Sequence, residues 1–211
     1  MKKNIALAVA ALFAAAVCFP QTAPLKPEIE GHIGLAIPWG PGIGVEGGAA
    51  YIVPIDRMFN IGVQMNLFYK QYNTQASNTG TNIIAGAALE RQLSVFIVPV
   101  YALARIDIPL PNVTWIEPFV QVMAGYTSLF NNIVSTASNQ SGVFYFGSFS
   151  WTAEGGVSFP LGERTRIGVH AGWNFGFPAT RISKSSTFDN VGIEAIEISG
   201  FYCNVGVSVS L

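Results

Sequence analysis

Between Phe59 and Tyr72 the chain alternates apolar and polar residues. Phe59, Ile61, Val63, Met65, Leu67 and Tyr69 take one parity, and Asn60, Gly62, Gln64, Asn66 and Lys70 the other, with Phe68 as an intruder. Successive side chains of a strand point to opposite sides, so the segment predicts a strand with one apolar and one polar face. At ~3.3 Å per residue and a tilt of about 40°, the climb from Phe59 to Tyr69 is about 25 Å, the height of a lipid-facing barrel band.

The same period recurs along the chain. Ile29, Gly31, Ile33, Leu35 and Ile37 alternate with Glu28, Glu30, His32, Gly34 and Ala36, and Pro38–Gly42 is a turn. Val45, Gly47, Ala49, Tyr51 and Val53 carry a second strand with Glu46 opposite; Pro54–Met58 turns into the third. Gln92–Ile108 predicts a fourth, its parity blurred around Pro99, where the missing N–H predicts a bulge. Pro109–Thr114 is a turn and Trp115–Thr127 the fifth strand. The sixth sets Phe149, Trp151, Ala153, Gly155 and Val157 against Ser150, Thr152, Glu154, Gly156 and Ser158, and ends at Phe159. The seventh sets Ile167, Val169, Ala171, Trp173 and Phe175 against Arg166, Gly168, His170, Gly172 and Asn174. The eighth, Phe201 to Leu211, alternates throughout; Ile196 and Ile198 have the other parity, which predicts a bulge near Gly200. The polar segments 73–82, 130–142 and 178–192 read as loops, and 83–91 stays open between strand and helical turn. Short connections after strands two, four and six, with longer ones between, follow the habit of transmembrane barrels. An even count puts both termini on the periplasmic side, and Pro38–Gly42 is the one short outer connection.

The ends and the composition sharpen this picture. Lys2 and Lys3 precede an apolar run from Ile5 to Val17, the form of a secretory signal peptide and too short for a spanning helix. The expected division is a signal peptide over 1–18, cleaved after Ala16 or Cys18, an irregular leader over 19–27, and a barrel over 28–211. Val17 is bulky and Ala15 replaces the usual Leu, which argues against lipidation at Cys18. Removing Lys2 and Lys3 from eleven basic residues leaves nine against twelve acidic ones, a mature net charge of −3. With no basic patch, nucleic acid is excluded as a partner. Charged residues make up 11% of the chain, where a soluble domain carries ~25%. Cys203 alone offers no disulfide framework.

A soluble sandwich or lipocalin also has one apolar face, so period alone does not place the chain in a membrane. The strands are longer than the usual five or six residues, and the polar face is built from Gly, Ala, Ser, Asn and Gln rather than Lys and Glu. Trp39, Tyr51, Phe59, Tyr69, Trp115, Tyr126, Phe159 and Phe175 recur at strand ends, as an interfacial aromatic girdle requires. The fold class these features predict is all-β, an eight-stranded antiparallel up-and-down transmembrane β-barrel.

The leader, the Gly-rich first hairpin, Ile116–Gly125 (IEPFVQVMAG), Thr152–Leu161 (TAEGGVSFPL) and the closing FYCNVGVSVSL resemble the bacterial outer-membrane barrels of the OmpA, OmpX and opacity type. The resemblance spans nearly all of the mature chain. It implies residence in the cell outer membrane of a Gram-negative-type bacterium, contact with outer-membrane lipid and lipopolysaccharide, insertion by the barrel-assembly machinery, a monomer, and no appended peptidoglycan-binding domain. Such proteins usually end on an aromatic residue, and this chain departs from that with Leu211.

Eight strands enclose a space just wide enough for side chains to fill. The inward set expected from parity is Glu30, His32, Glu46, Gln64, Asn66, Lys70, Glu117, Gln121, Glu154, Arg166, His170 and Asn174, and opposite charges there should pair. The expectation is a polar plug rather than an enzyme, with no cofactor, and a structural or surface-recognition role carried by loops 73–82, 130–142 and 178–192. Three alternatives stay open: a narrow channel for small solutes, a barrel enzyme acting on lipid A, and a soluble periplasmic or secreted β-protein. The enzyme would need a nucleophile and an orienting acid beside His32 or His170, and no Ser–acid arrangement neighbours either in sequence. Gly42, Gly44 and Gly47 spell G-x-G-x-x-G but sit in a hairpin, where the dinucleotide motif needs a following helix. Two histidines without a cysteine or an Asp/Glu cluster at ligand spacing give no metal site.

Overall fold

A computed structural model describes residues 26–75, 90–111, 113–135, 140–182 and 195–211. The expected signal peptide and most of the leader lie outside the described residues, as do 76–89, 136–139 and 183–194 of the expected loops and of the open segment. Every regular element among the described residues is a strand: β1 (Glu28–Pro38), β2 (Gly44–Pro54), β3 (Phe59–Gln75), β4 (Glu90–Asp107), β5 (Glu117–Ser135), β6 (Gln140–Pro160), β7 (Thr165–Gly176), β8 (Ala179–Arg181), β9 (Ala195–Ile196) and β10 (Gly200–Ser210).

Eight of these are staves. β1 to β7 pair in sequence order and antiparallel, and β10 pairs with both β7 and β1, so the sheet closes on itself. Closure leaves the staves no free edge, which is what lets a sheet stand in hydrocarbon. The stagger can be followed rung by rung: Glu28 to Ile52, Gly62, Leu103, Met123, Thr152, Asn174 and Gly200, and back to β1 at Pro38, ten residues on from Glu28. A stagger of that size on eight strands corresponds to a tilt of about 40°.

Four staves are short and four are long. β1, β2 and β10 have 11 residues and β7 has 12, whereas β3, β4, β5 and β6 have 17, 18, 19 and 21. The long ones rise past the apolar band as a wall. The segment 130–142, expected to be a loop, is therefore mostly strand: β5 and β6 stay paired from Glu117↔Ser158 up to Ser135↔Gln140. Its Asn and Ser residues suggested a loop, but cross-strand pairing satisfies their backbone groups. β3 likewise runs into the expected loop 73–82, ending at Gln75, and β8 lies within 178–192.

Two expected bulges are corrected. Pro99 shifts nothing: Met65↔Val100 below it and Phe68↔Ile97 above it keep one register, with only the rungs between them missing. Near Gly200 the inward parity runs unbroken from Tyr202 to Ile198, both buried. The extra residue lies on the neighbouring strand instead. β7 pairs with β6 as Ser150↔Gly176 and β8 as Gly147↔Thr180, so Phe177–Pro178 carries one residue more than its partner. A proline has no N–H for the ladder, which makes it an economical place for such a break.

The outer face is apolar in each stave. Ile33, Leu35, Val45, Val63, Met65, Leu67, Val100, Val122, Val169, Val205 and Val207 all stand exposed on it. Exposed apolar area of this continuity is far beyond that of a water-soluble surface.

Candidate functional site

The inward residues form two storeys. At the end where the short turns lie, β1, β4, β5 and β7 bring charged side chains together. Arg166 pairs with Glu28 at 2.6 Å and with Glu117 at 3.1 Å. Arg105, buried, holds Asp107 at 2.7 Å and Glu30 at 3.5 Å, reaches Ser158, and stacks its guanidinium 3.8 Å over the Phe119 ring. Asn60 donates to the other oxygen of Asp107 at 2.7 Å. A guanidinium presents several donors in a fixed fork, so one arginine satisfies several acceptors in a place where an unpaired charge would be costly.

Further in, the charges give way to a hydrogen-bonded layer. Asn66 donates to Glu46 at 3.0 Å and accepts from Gln64 at 3.0 Å; its Oδ1 also lies 3.1 Å from His32 Nε2. Asn204 donates to Glu46 at 3.3 Å. The Tyr202 hydroxyl donates to Glu154 Oε2 at 2.6 Å, and Glu154 Oε1 lies 2.8 Å from His170 Nδ1. Glycines make this layer possible. A Cβ on Gly48 would collide with Asn66 and His32, and one on Gly172 with the Tyr202 hydroxyl. Beyond it Tyr101, Ser150, Thr127 and Asn174 form a hydroxyl and amide cluster, with Thr127 and Ser150 2.6 Å apart.

The storey inside the tall wall is mainly apolar, although Asn131 and Ser148 are buried there too and Arg181 lies 4.6 Å over the Phe144 ring. Phe68, Val95, Ile97, Leu129, Phe144, Phe146, Ala179 and Ile198 pack with Ala36 and Tyr202 into one buried cluster. Phe68, the intruder in the alternation of β3, is 2% exposed and points inward at the base of this cluster. A cavity of about 40 Å³ separates the storeys, lined by Glu46, Asn66 and Tyr101 on one side and Phe68, Ile97 and Ile198 on the other. It has room for about three water molecules.

The twelve residues expected inside differ in burial. His32, Glu46, Gln64, Asn66, Gln121, Glu154 and His170 are buried. Glu30, Glu117, Arg166 and Asn174 are partly buried in the contacts above or, for Asn174, against Tyr101 and Ile198. Lys70 sits apart, 4.8 Å from the Tyr72 ring. Parity reasoning missed Arg105, the most connected cation of the lumen, because β4 is apolar on both faces. It also passed over Glu28, Asn60, Asp107, Tyr101, Tyr202 and Asn204. The last two were readable as the polar-parity members of the closing strand.

The aromatics divide between the two rims. Tyr51, Phe59, Trp115 and Phe159 lie toward the short-turn end, with Trp115 stacked on Phe159 at 6.5 Å. Trp39, Tyr69, Tyr126 and Phe175 lie toward the other. There Trp39 meets Trp173 edge-on at 5.7 Å, and Trp151 stacks on Phe175 at 4.1 Å. The G-x-G-x-x-G decoy is a turn: Gly42 has a φ of 66°, and Gly44 already belongs to β2.

Closure brings together residues that linear spacing keeps apart. His32 on β1 and His170 on β7 lie far apart in sequence, but β10 alone separates their staves, and their rings meet at 5.4 Å. Glu30 joins them: its Oε1 is 3.9 Å from His32 Nδ1 and 3.7 Å from His170 Nε2.

This is the architecture of an outer-membrane eight-stranded β-barrel. The outer membrane protein OprG from Pseudomonas aeruginosa has a similar fold, at 11% identity over 89% of this chain and 96% of that one, with a TM-score of 0.62. A major outer membrane protein from Thermus thermophilus is similar at 12% identity, over 90% of this chain and 100% of that one, with a TM-score of 0.53. No protein-family model and no curated protein sequence matches the chain.

Proposed function

We propose that this protein is an integral bacterial outer-membrane barrel whose lumen is a closed plug and whose wall above the membrane serves surface recognition. The observation that carries the reading is the inversion of the fold. Apolar side chains cover the outside, while charged and amide side chains pair with one another inside, at Arg105–Asp107 and Asn66–Glu46 among others. In water that arrangement would expose a large apolar surface; in lipid it buries every polar group of the lumen away from hydrocarbon. The filled cross-section favours a plug over a conducting pore, since the cavity between storeys holds only a few waters. Among the described residues the polar partners of the two imidazoles are carboxylates, an amide and each other, with no hydroxyl or thiol nucleophile among them, which favours a structural role for both. The paired extension of β3 to β6 and the segments 76–89, 136–139 and 183–194 are the part offered to other cells or host ligands, a role loops on rigid scaffolds commonly take.

Membrane fractionation with gel mobility before and after boiling tests the first claim. A heat-modifiable band in the outer membrane is expected, and a soluble periplasmic protein ends the reading. Planar-bilayer recordings test the plug, where discrete conductance steps would replace it with a channel. Deletion of 76–89 is expected to weaken cell-surface binding without loss of the heat-modifiable band.

A further inference from the structure

The geometry points to a divalent transition-metal site inside the barrel, with His32 Nδ1, His170 Nε2 and one carboxylate oxygen of Glu30 as its ligands; we propose Zn²⁺-class ions as its occupants. The sequence has two histidines, and both are here. The three ligand atoms lie within 4.8 Å of one another. A tetrahedral Zn²⁺ with bonds of about 2.0–2.1 Å holds its ligands ~3.3 Å apart. The Glu30 contacts at 3.7 and 3.9 Å therefore need to close by only about half an ångström.

Hydrogen bonding fixes which nitrogens carry lone pairs. Asn66 gives its amide N–H to Glu46, so its Oδ1 is the atom turned to His32 Nε2. That nitrogen must then be the protonated one, and Nδ1 is left bare toward Glu30. His170 Nδ1 lies 2.8 Å from the Glu154 carboxylate, which favours the proton there and leaves Nε2 bare toward the same point. Both bare nitrogens are buried and have no hydrogen-bond partner, on side chains 0% and 2% exposed; His170 Nδ1 and Glu154 Oε1 also lack hydrogen-bond geometry, so their 2.8 Å contact is an ion-pair approach. A proton on one imidazole would satisfy one of these contacts. A cation satisfies three.

The surroundings have the form that supports metal ligands elsewhere. The second nitrogen of each histidine is held by an amide oxygen or a carboxylate, and Glu154 is itself oriented by the Tyr202 hydroxyl. Around this level the acids Glu28, Glu30, Glu46, Asp107, Glu117 and Glu154 stand with the cations Arg105 and Arg166, while Lys70 and Arg181 lie further along the barrel beside Tyr72 and Phe144. Two imidazole nitrogens select a borderline metal over Ca²⁺ or Mg²⁺, which take all-oxygen ligand sets. Glu30 keeps 13% of its side chain exposed, an aqueous approach from the short-turn end.

The test uses untagged, chelator-treated protein folded in detergent micelles and checked for heat-modifiable mobility. It is titrated with ZnCl₂ by calorimetry and with CoCl₂ by visible absorption. One equivalent of Zn²⁺ and tetrahedral Co²⁺ bands are expected. His32→Gln and His170→Gln should each weaken binding by at least about 100-fold, while Glu154→Gln, acting through His170, should weaken it by about 10–100-fold. Absence of stoichiometric uptake by the folded wild type overturns the proposal. So does uptake that folded His32→Gln and His170→Gln variants retain, since that would place the ion on surface carboxylates.

Discussion

The two storeys of the lumen share one barrel and solve the problem of a filled interior in opposite ways. In the lower storey burial removes charges from water, so each side chain depends on a particular partner at a particular distance. Arg105 is the clearest case, with Asp107, Glu30, Ser158 and the Phe119 face around one guanidinium. In the upper storey Phe68, Leu129 and Phe146 need only volume and apolar neighbours, and Phe144 adds Arg181 over its ring. The lower one is held by complementarity and fails when a partner is removed. The upper one is held by packing and fails when a polar group enters.

Removing the centre of the lower storey should cost most. Arg105→Met leaves Asp107, 29% exposed, with Asn60 alone and Glu30 without a guanidinium, so the loss falls toward the lower end of the about 3–5 kcal/mol that breaking a buried charge pair costs. Urea unfolding in lipid vesicles should show that loss. Adding Asp107→Asn should return part of it, because one stranded charge is gone. A variant with unchanged stability would mean that the lower storey is solvated and not a plug.

The complementary break is Phe68→Asn, which installs the residue type that strict alternation would place there. In a polar lumen throughout, it would be neutral. Here it opens a cavity among Ile97, Ile198 and their neighbours and buries an amide with no prepared partner, so a loss of about 2–4 kcal/mol is expected in the same assay. Stability equal to wild type would remove the distinction between the storeys.

How much of this was legible follows from the same contrast. Strand number, order and the outward face were readable because lipid imposes one rule on every stave. The inward polar set was readable wherever the inside is polar. Phe68, the blurred parity near Pro99 and the misplaced bulge near Gly200 are one error repeated. Phe68, Ile97 and Ile198 are inward residues of the apolar storey, and each looked like a fault in a rule that assumed a polar lumen throughout. That assumption also hid Arg105, since Leu103, Ile97 and Val95 share its inward face with apolar neighbours on both sides. The triad of Glu30, His32 and His170 was illegible for another reason. It depends on closure, which places β1 and β7 on either side of β10, and no linear spacing encodes that.

A smaller effect tests how tightly the lower storey is built. Gly48→Ala places a methyl group against Asn66 and His32, and forced overpacking of this kind costs about 1–3 kcal/mol. The same change at Gly31, where an added Cβ meets nothing, should leave the unfolding free energy within about 0.5 kcal/mol of wild type. Equal effects at the two positions would show that glycine matters there for backbone reasons and not for the room it leaves.

The smallest expected effect separates burial from charge pairing as such. Arg166 has closer carboxylates than the Arg105–Glu30 contact, at 2.6 and 3.1 Å, but its side chain is 31% exposed at the rim and Glu117 is 41% exposed. Water competes for Arg166 and Glu117, while Glu28 keeps 15% exposure, and pairs open to solvent contribute about 0–1 kcal/mol. Arg166→Gln should therefore cost less than about 1 kcal/mol, and the difference should shrink further at 1 M salt, where screening acts within ~3 Å. Arg105→Met should keep its full effect at the same salt concentration, since a buried pair is little screened. If the two arginine variants lose stability equally and respond equally to salt, short distances rather than desolvation hold the lower storey, and the contrast with the packed storey above it loses its physical basis.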